Sequence, residues 1–400
     1  MLSQEVQERL AERLVERIEE GNSYILKKIG GTIKTIGTLN PTQAYQIGQI
    51  LKYGGSYEDI ARQIAKASGK NVQEIYKMFE EIAKTNKQFA KQFYDYRGID
   101  FIPYNKDIAL RRQVLGIASA TANTYMNISR TTGIGLMFEN LNGQMQFRPL
   151  QQSYYDIIDR AIITISQGKD TYYNEMRRIM KQIGHNGVLL YDSGRTRRLD
   201  SAIRMNLLDG IRELSNETSR IFGATYGADG IEISVHENPA PDHADIQGRQ
   251  FSFSEYEKLE NGQIARDYVG NRYDGSEKRR ISELNCYHNE MQIVLGVSKP
   301  QYTDEQLREI QRRNEEGFEF EGKHYTMYEG TQLQRKLELE IRKNKDTQIL
   351  SREAGDIELA KESQAKINDL TSKYNKLCIA SNLKPKKARM SISGYRRISV

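Results

Sequence analysis

Tryptophan is absent from this 400-residue chain, and cysteine and histidine are scarce, at two and five. Two cysteines, Cys286 and Cys378, cannot build a disulfide framework, so a reducing compartment fits. No run approaches the roughly 20 apolar residues that a membrane-crossing helix requires. That excludes a helical membrane anchor. The first twenty residues are charged throughout and lack the apolar centre of an export signal. Apolar residues make up only 38% of the chain, enough for two or three domains with a thin core. The net charge of +6 is too small for this length to indicate nucleic acid by itself.

What is plentiful is charge of both signs, at 28%, and tyrosine, at 24 residues. Tyrosine suits surfaces that are dry on one side and wet on the other. In the first third, Val6, Leu10, Leu14 and Ile18 recur four apart, which predicts a helix with one apolar face. Pro41 after Asn40 starts a second helix. Ser56 to Asp59 resembles a capping box ahead of a third. Ile75, Met78, Phe79 and Ile82 continue the pattern, and a further helix follows Asn105.

The middle third changes character. Two helices precede the strand-like run GVLLYDSG, and Leu199, Ile203, Leu207 and Ile211 then form a helical stripe that begins among arginines. IEISV (231–235) alternates and is β-branched, and RQFSFS and MQIVLGV are further strand candidates. The last hundred residues return to charged helices. Thr303 is suited to N-cap the first of them, and FEFEGKHYTMYEG interrupts with β-like residues. Beyond it, apolar positions are too sparse for a heptad coiled coil, which favours a helical hairpin. The prediction is an α+β fold, predominantly α-helical. It comprises a helical N-terminal domain (1–135), a small α+β domain (150–300), a charged helical hairpin region (301–383) and a basic tail (384–400).

From Lys376 onward there are seven Lys or Arg and no acid. Lys384, Lys386, Lys387, Arg389, Arg396 and Arg397 are suited to neutralise the phosphates of double-stranded DNA without sequence preference. Arg195, Arg197 and Arg198 form a second basic group, and Tyr395 could stack on a base. The same charges equally suit a tail lying on an acidic protein surface.

The stretch HENPAPDHADIQGRQFS (236–252) gathers two histidines with Glu237, Asp242 and Asp245, and Cys286 and His288 follow. Three chemical readings compete. A zinc site from His236, His243, Cys286 and His288 has the right ligand types, but the spacing is poor. A His-Asn-His nuclease would draw on Asp242, His243, Asn285, His288 and Asn289, without an obvious metal companion. Cys286 as a nucleophile lacks an oxyanion signature. Against these stands a braced strand connection. Pro239 and Pro241 stiffen its entry, Asp242 suits an Asx turn, His243 suits backbone hydrogen bonds, and Gly248 permits a positive φ before the returning strand. The braced connection is the preferred reading, with no metal or cofactor assigned.

In chain order, SGRTRRLDSAIRMNLLDGIRE (193–213), IEISVHENPAPDHADIQGRQFS (231–252) and NCYHNEMQIVLGVSKPQYT (285–303) resemble the tailed-phage minor capsid protein 2 family. This family is related to the Mu F-like head morphogenesis proteins. The resemblance covers about residues 150 to 385. It implies a virion protein present in few copies, made in the host cytoplasm and bound near the portal on the capsid interior. Its partners would be portal, capsid or scaffold protein, and some relatives associate with packaged DNA. No enzyme activity comes with it. The family's turn falls on His243, Gln247 and Gly248, and its N-C-x-H element on Asn285, Cys286 and His288. The chain departs from the pattern at Ala240, where arginine is common, at Ile246 for tryptophan, and at Tyr287 for arginine. These changes remove a cation and an aromatic ring and weaken a catalytic reading. The alternative is a metal-dependent nuclease or toxin-like effector using His243, Cys286 and His288.

Overall fold

The computed structural model describes residues 4–53, 56–128, 133–139, 144–192, 195–261, 281 and 286–400. The N-terminal helices are longer than their sequence punctuation suggests. α1 (Gln4–Gly37) passes through three glycines, and α3 (Ser56–Arg97) is one helix through Gly69. Burial of Leu14, Ile18, Ile25, Ile29, Ile33 and Ile36 on one face of α1 outweighs the propensity cost of those glycines. α2 (Pro41–Tyr53) starts at the expected proline. Asn40 caps it, with Gln43 N–H donating to Asn40 Oδ1 at 2.9 Å. The Ser56 side chain, on which the expected capping box depends, lies outside the described residues. α4 (Ile108–Ile128) completes this set.

A hairpin that the sequence patterning did not reveal follows: β1 (Ile134–Glu139) and β2 (Met145–Pro149). After α5 (Leu150–Gln167) and α6 (Lys169–Asn186) come β3 (Leu189–Asp192) and β4 (Arg195–Arg198). These four strands form one antiparallel sheet in the order β2-β1-β3-β4. α7 (Leu199–Tyr226) buries the whole expected stripe of Leu199, Ile203, Leu207 and Ile211. β5 (Gly230–Ile233), β6 (Gln250–Ser252) and β7 (Glu290–Ile293) then make a second sheet with β5 central, and α8 (Phe253–Asn261) follows β6. The fold is thus α+β and mainly helical, as expected from the sequence.

α9 (Asp304–Glu316) begins at Thr303, whose hydroxyl accepts from Gln306 N–H in a full capping box. β8 (Phe318–Phe320) and β9 (Lys323–Tyr325) are joined by Glu321 and Gly322, both at positive φ, as a two-residue hairpin turn requires. α10 (Met327–Ala354) and α11 (Ile357–Ser381) then form a helical hairpin that turns at Gly355. One hydrophobic cluster runs from Ala11 through α3, α5, α6 and α7 to Ile349, Leu359 and Ile392. The N-terminal helices and the middle of the chain therefore share a core. Gly184 of α6 makes a close approach possible there, since a Cβ would lie 2.0 Å from Thr347 Oγ1 of α10.

α10 explains why its sequence looked poor in apolar residues. Gln334, Glu338, Arg342 and Asp346 recur four apart and are all buried, so one inward face is polar. Arg342 pairs with Asp200 at the start of α7, and Asp346 accepts from Arg198 at 2.8 Å. Glu338 accepts from the Tyr374 hydroxyl of α11 at 3.1 Å. Burial alone would raise the Asp200 carboxyl, but Arg342, Arg198 and Arg204 hold it well below the usual range.

Glu19 of α1, buried beside this seam, shows the opposite balance. Burial, with the charge of Asp200, pushes its carboxyl up to about 8 from an ordinary 4.5. The folded chain therefore holds this proton more tightly than the unfolded chain does. The resulting stability is fully present below pH 4.5 and is lost as pH rises through about 8. Glu19→Gln should flatten that decline in urea titrations between pH 5 and 9. An unchanged pH dependence would contradict this reading of the seam.

Candidate functional site

The turn that carries His243, Gln247 and Gly248 lies between β5 and β6. Ala240 O accepts from His243 N–H at 2.9 Å, and His243 O from Gln247 N–H at 3.1 Å, which coils residues 240–249. Gly248 closes the turn at φ +69, its N–H donating to Ile233 O at 2.8 Å. A Cβ there would lie 2.5 Å from Leu307 Cδ2 and 2.8 Å from Val235 Cγ2, so the position excludes side chains by both conformation and space.

Strand pairing brings the second motif to the same place. Ile233 of β5 stands opposite Glu290 of β7, so the chain leaving β5 and the chain entering β7 lie side by side. Ser234 N–H donates to Asn289 O at 3.0 Å, and Asn289 N–H to Ser234 Oγ at 2.8 Å. The adjacency of these strands overcomes the poor linear spacing of the histidines and cysteine. Glu290 N–H also donates to Asn216 Oδ1 of α7 at 3.0 Å, which ties β7 to the core helix.

As a result, His243, Cys286 and His288 converge. Cys286 Sγ lies 3.4 Å from His243 Nδ1 and 3.4 Å from His288 Nδ1. His288 Nε2 lies 3.1 Å from Gln247 Oε1, and His243 Nε2 lies 3.5 Å from Asp242 Oδ2. The three ligand-type atoms all fall within 4.8 Å of one another. The residues are 1%, 4% and 1% exposed, respectively, so no macromolecular substrate reaches Cys286 or either ring in this conformation. The His236 ring lies tilted against His288, with centroids 4.2 Å apart, but stays outside the converging set. Of the expected Asn285, Cys286 and His288, the last two meet His243, whereas Asn285 lies outside the described residues.

Beneath Tyr287 is a layer that sequence reasoning missed. The Arg212 guanidinium, completely buried, sits 4.8 Å from the centre of the Tyr287 ring. Arg389 donates to the Tyr287 hydroxyl at 2.9 Å and to Glu8 at 2.8 Å. Tyrosine at position 287 therefore does not leave the knot without cations, because α7 and the tail supply two. The signal was present in α7, where Arg212 directly follows the buried stripe residue Ile211, but its partner is remote in sequence.

The basic residues separate into two groups. Arg198 and Arg389 do not fit the phosphate-contact role expected of them, because Arg198, largely enclosed, is engaged by Asp200 and Asp346, and Arg389, buried, by Glu8 and Glu338. Lys386 is also engaged, 2.8 Å from Glu8. Burial would raise the Glu8 carboxyl, but Arg389 and Lys386 bring it down to about 2. Tyr395 is likewise occupied, its hydroxyl donating to Gln364 Oε1 at 2.9 Å with Lys345 over its ring. Lys384, Lys387, Arg396, Arg397 and Arg197 are exposed. The side chain of Arg195 lies outside the described residues.

Gly248→Ala should destabilise the protein by on the order of 2 kcal/mol in urea unfolding, from the left-handed backbone and the crowding together. A change within experimental error would mean that the turn is not held as described.

No curated protein and no solved structure matches the chain. The family model for phage minor capsid protein 2 matches residues 2–378. That span extends past the motif-bearing middle, where the sequence resemblance was first evident, to include the N-terminal helices that share its core. On a match of nearly full length, the chain belongs to the phage minor capsid protein 2 family, whose members are structural components of the phage particle.

Proposed function

We propose that the chain is a minor structural protein of a tailed-phage head, bound near the portal on the capsid interior. There it acts in head morphogenesis and touches packaged DNA. The observation that carries this reading is the extent of the family match, residues 2–378. The charge distribution supports the DNA contact. Gln348 Nε2 donates to Arg396 O at 2.7 Å, and Ile398 N–H to Gln364 Oε1 at 3.2 Å, so the end of the tail is fastened by its backbone. Its Arg396 and Arg397 side chains remain exposed, as do Lys384 and Lys387. Tyr45 and Ile50 of α2, Ile163 of α5 and Tyr173 of α6 are large apolar groups exposed on successively packed helices, suited to a protein partner such as portal, capsid or scaffold.

The reading assigns no catalysis to the chain. The burial of His243, Cys286 and His288 argues against the nuclease or effector alternative, which needs a phosphodiester to reach them. Crosslinking in intact heads should join this chain to the portal protein, and crosslinks only to outer-surface proteins would overturn the interior placement. Replacing Lys384, Lys387, Arg396 and Arg397 by alanine should weaken DNA retention. The slope of log affinity against log salt should fall by roughly 0.9 for each phosphate that is no longer neutralised. An unchanged slope would remove DNA contact from the proposal.

A further inference from the structure

We propose that His243, Cys286 and His288 form a zinc site that staples the β5–β6 turn to the entry of β7. The first argument is geometric. Zinc sits about 2.3 Å from thiolate sulfur and 2.0–2.1 Å from imidazole nitrogen, so in a tetrahedron the sulfur and nitrogen stand about 3.5 Å apart. Cys286 Sγ stands 3.4 Å from each of the two Nδ1 atoms. All three ligand atoms lie within 4.8 Å of one another, so small movements of the two rings bring them onto a single small cation.

The second argument concerns which nitrogens bear hydrogen. The backbone N–H of His236 donates to Gln247 Oε1 at 3.2 Å. A backbone N–H only donates, so that atom is the amide oxygen. The same oxygen faces His288 Nε2 at 3.1 Å, which makes Nε2 the protonated nitrogen and leaves Nδ1 of the neutral ring carrying the lone pair. The carboxylate of Asp242 does the same for His243, facing its Nε2 at 3.5 Å. Both rings thus direct Nδ1 lone pairs at one sulfur, each held from behind by an oxygen acceptor. Metal-ligating histidines are characteristically oriented in this way.

The third argument is charge. Cys286 binds as thiolate, its proton leaving to solvent, and the buried Asp242 carboxylate supplies a second negative charge. Together they neutralise a divalent ion. Three protein ligands leave one tetrahedral position for water. Burial keeps that water from a macromolecular substrate, so the role is structural. The ligands lie 43 residues apart in sequence, a long loop for one ion to close.

The test uses the full chain, purified without chelator from zinc-supplemented medium. Elemental analysis should find one zinc per chain. Cobalt exchanged into the protein should show a thiolate-to-metal charge-transfer band, retained in Cys378→Ser and lost in Cys286→Ser. Gln247→Ala, which keeps all three ligands, should weaken zinc binding about 10- to 100-fold, with Gln247→Glu restoring much of it. Should Cys286→Ser fail to fold, the wild-type metal content and the Gln247 pair still decide. Wild-type protein that holds only a small fraction of an equivalent of zinc and takes up none when it is added would overturn the site. So would a cobalt complex without thiolate character, or copper in place of zinc. None of these results bears on the head-protein reading, which rests on the family match.

Discussion

The buried polar seam of α10 is the constraint on which the rest of the molecule depends. Arg342 and Asp346 meet Asp200 and Arg198 where β4 passes into α7, so the long core helix is positioned by charge as well as by its apolar stripe. Buried charges are costly unless each is answered, and removing one member leaves another uncompensated. This gives the seam a role in specificity. An apolar face on α10 could slide against its neighbours, whereas the alternating charges fix one register. One turn and two turns further toward the start of α10, Glu338 and Gln334 meet Tyr374, and Gln334 also donates to Lys384 O at 3.0 Å. The same helix thereby orders the hairpin and the tail.

That arrangement changes the meaning of the basic motifs. The RTRRLD segment and the tail both look like phosphate-binding charge in the sequence. In the fold, their inner members, Arg198 and Arg389, are structural cations, while Arg197, Arg396 and Arg397 face outward. Glu8 joins the first helix to the tail through Lys386 and Arg389. The two ends of the chain thus close over Tyr287, next to the buried histidine-cysteine knot.

Much of this was legible in the sequence where a local rule applied. The apolar stripe of α7, the proline start of α2, the Thr303 cap, the β-branched run of β5 and the glycine at 248 each carry their signal within a few residues. What was not legible depends on partners far apart in the chain. The β1–β2 hairpin fell in the gap between two expected domains and has little alternation to mark it. The polar face of α10 reads as solvated charge until Asp200 and Arg198 are brought against it. The separation of His243 from Cys286 argued against a metal, and only the pairing of β5 with β7 removes that objection. The turn closed by Gly248 follows from local signals in its own residues, but the exposed and buried arginines could not be told apart without the fold.

The most direct measurement is a double-mutant cycle on the seam, with Asp200→Ala, Arg342→Ala and the pair, each followed by urea unfolding. If the seam holds α7 on α10, either single change should cost about 3–5 kcal/mol, and the double variant should recover a coupling of at least about 1.5 kcal/mol. Small single losses that simply add in the double variant would contradict the account.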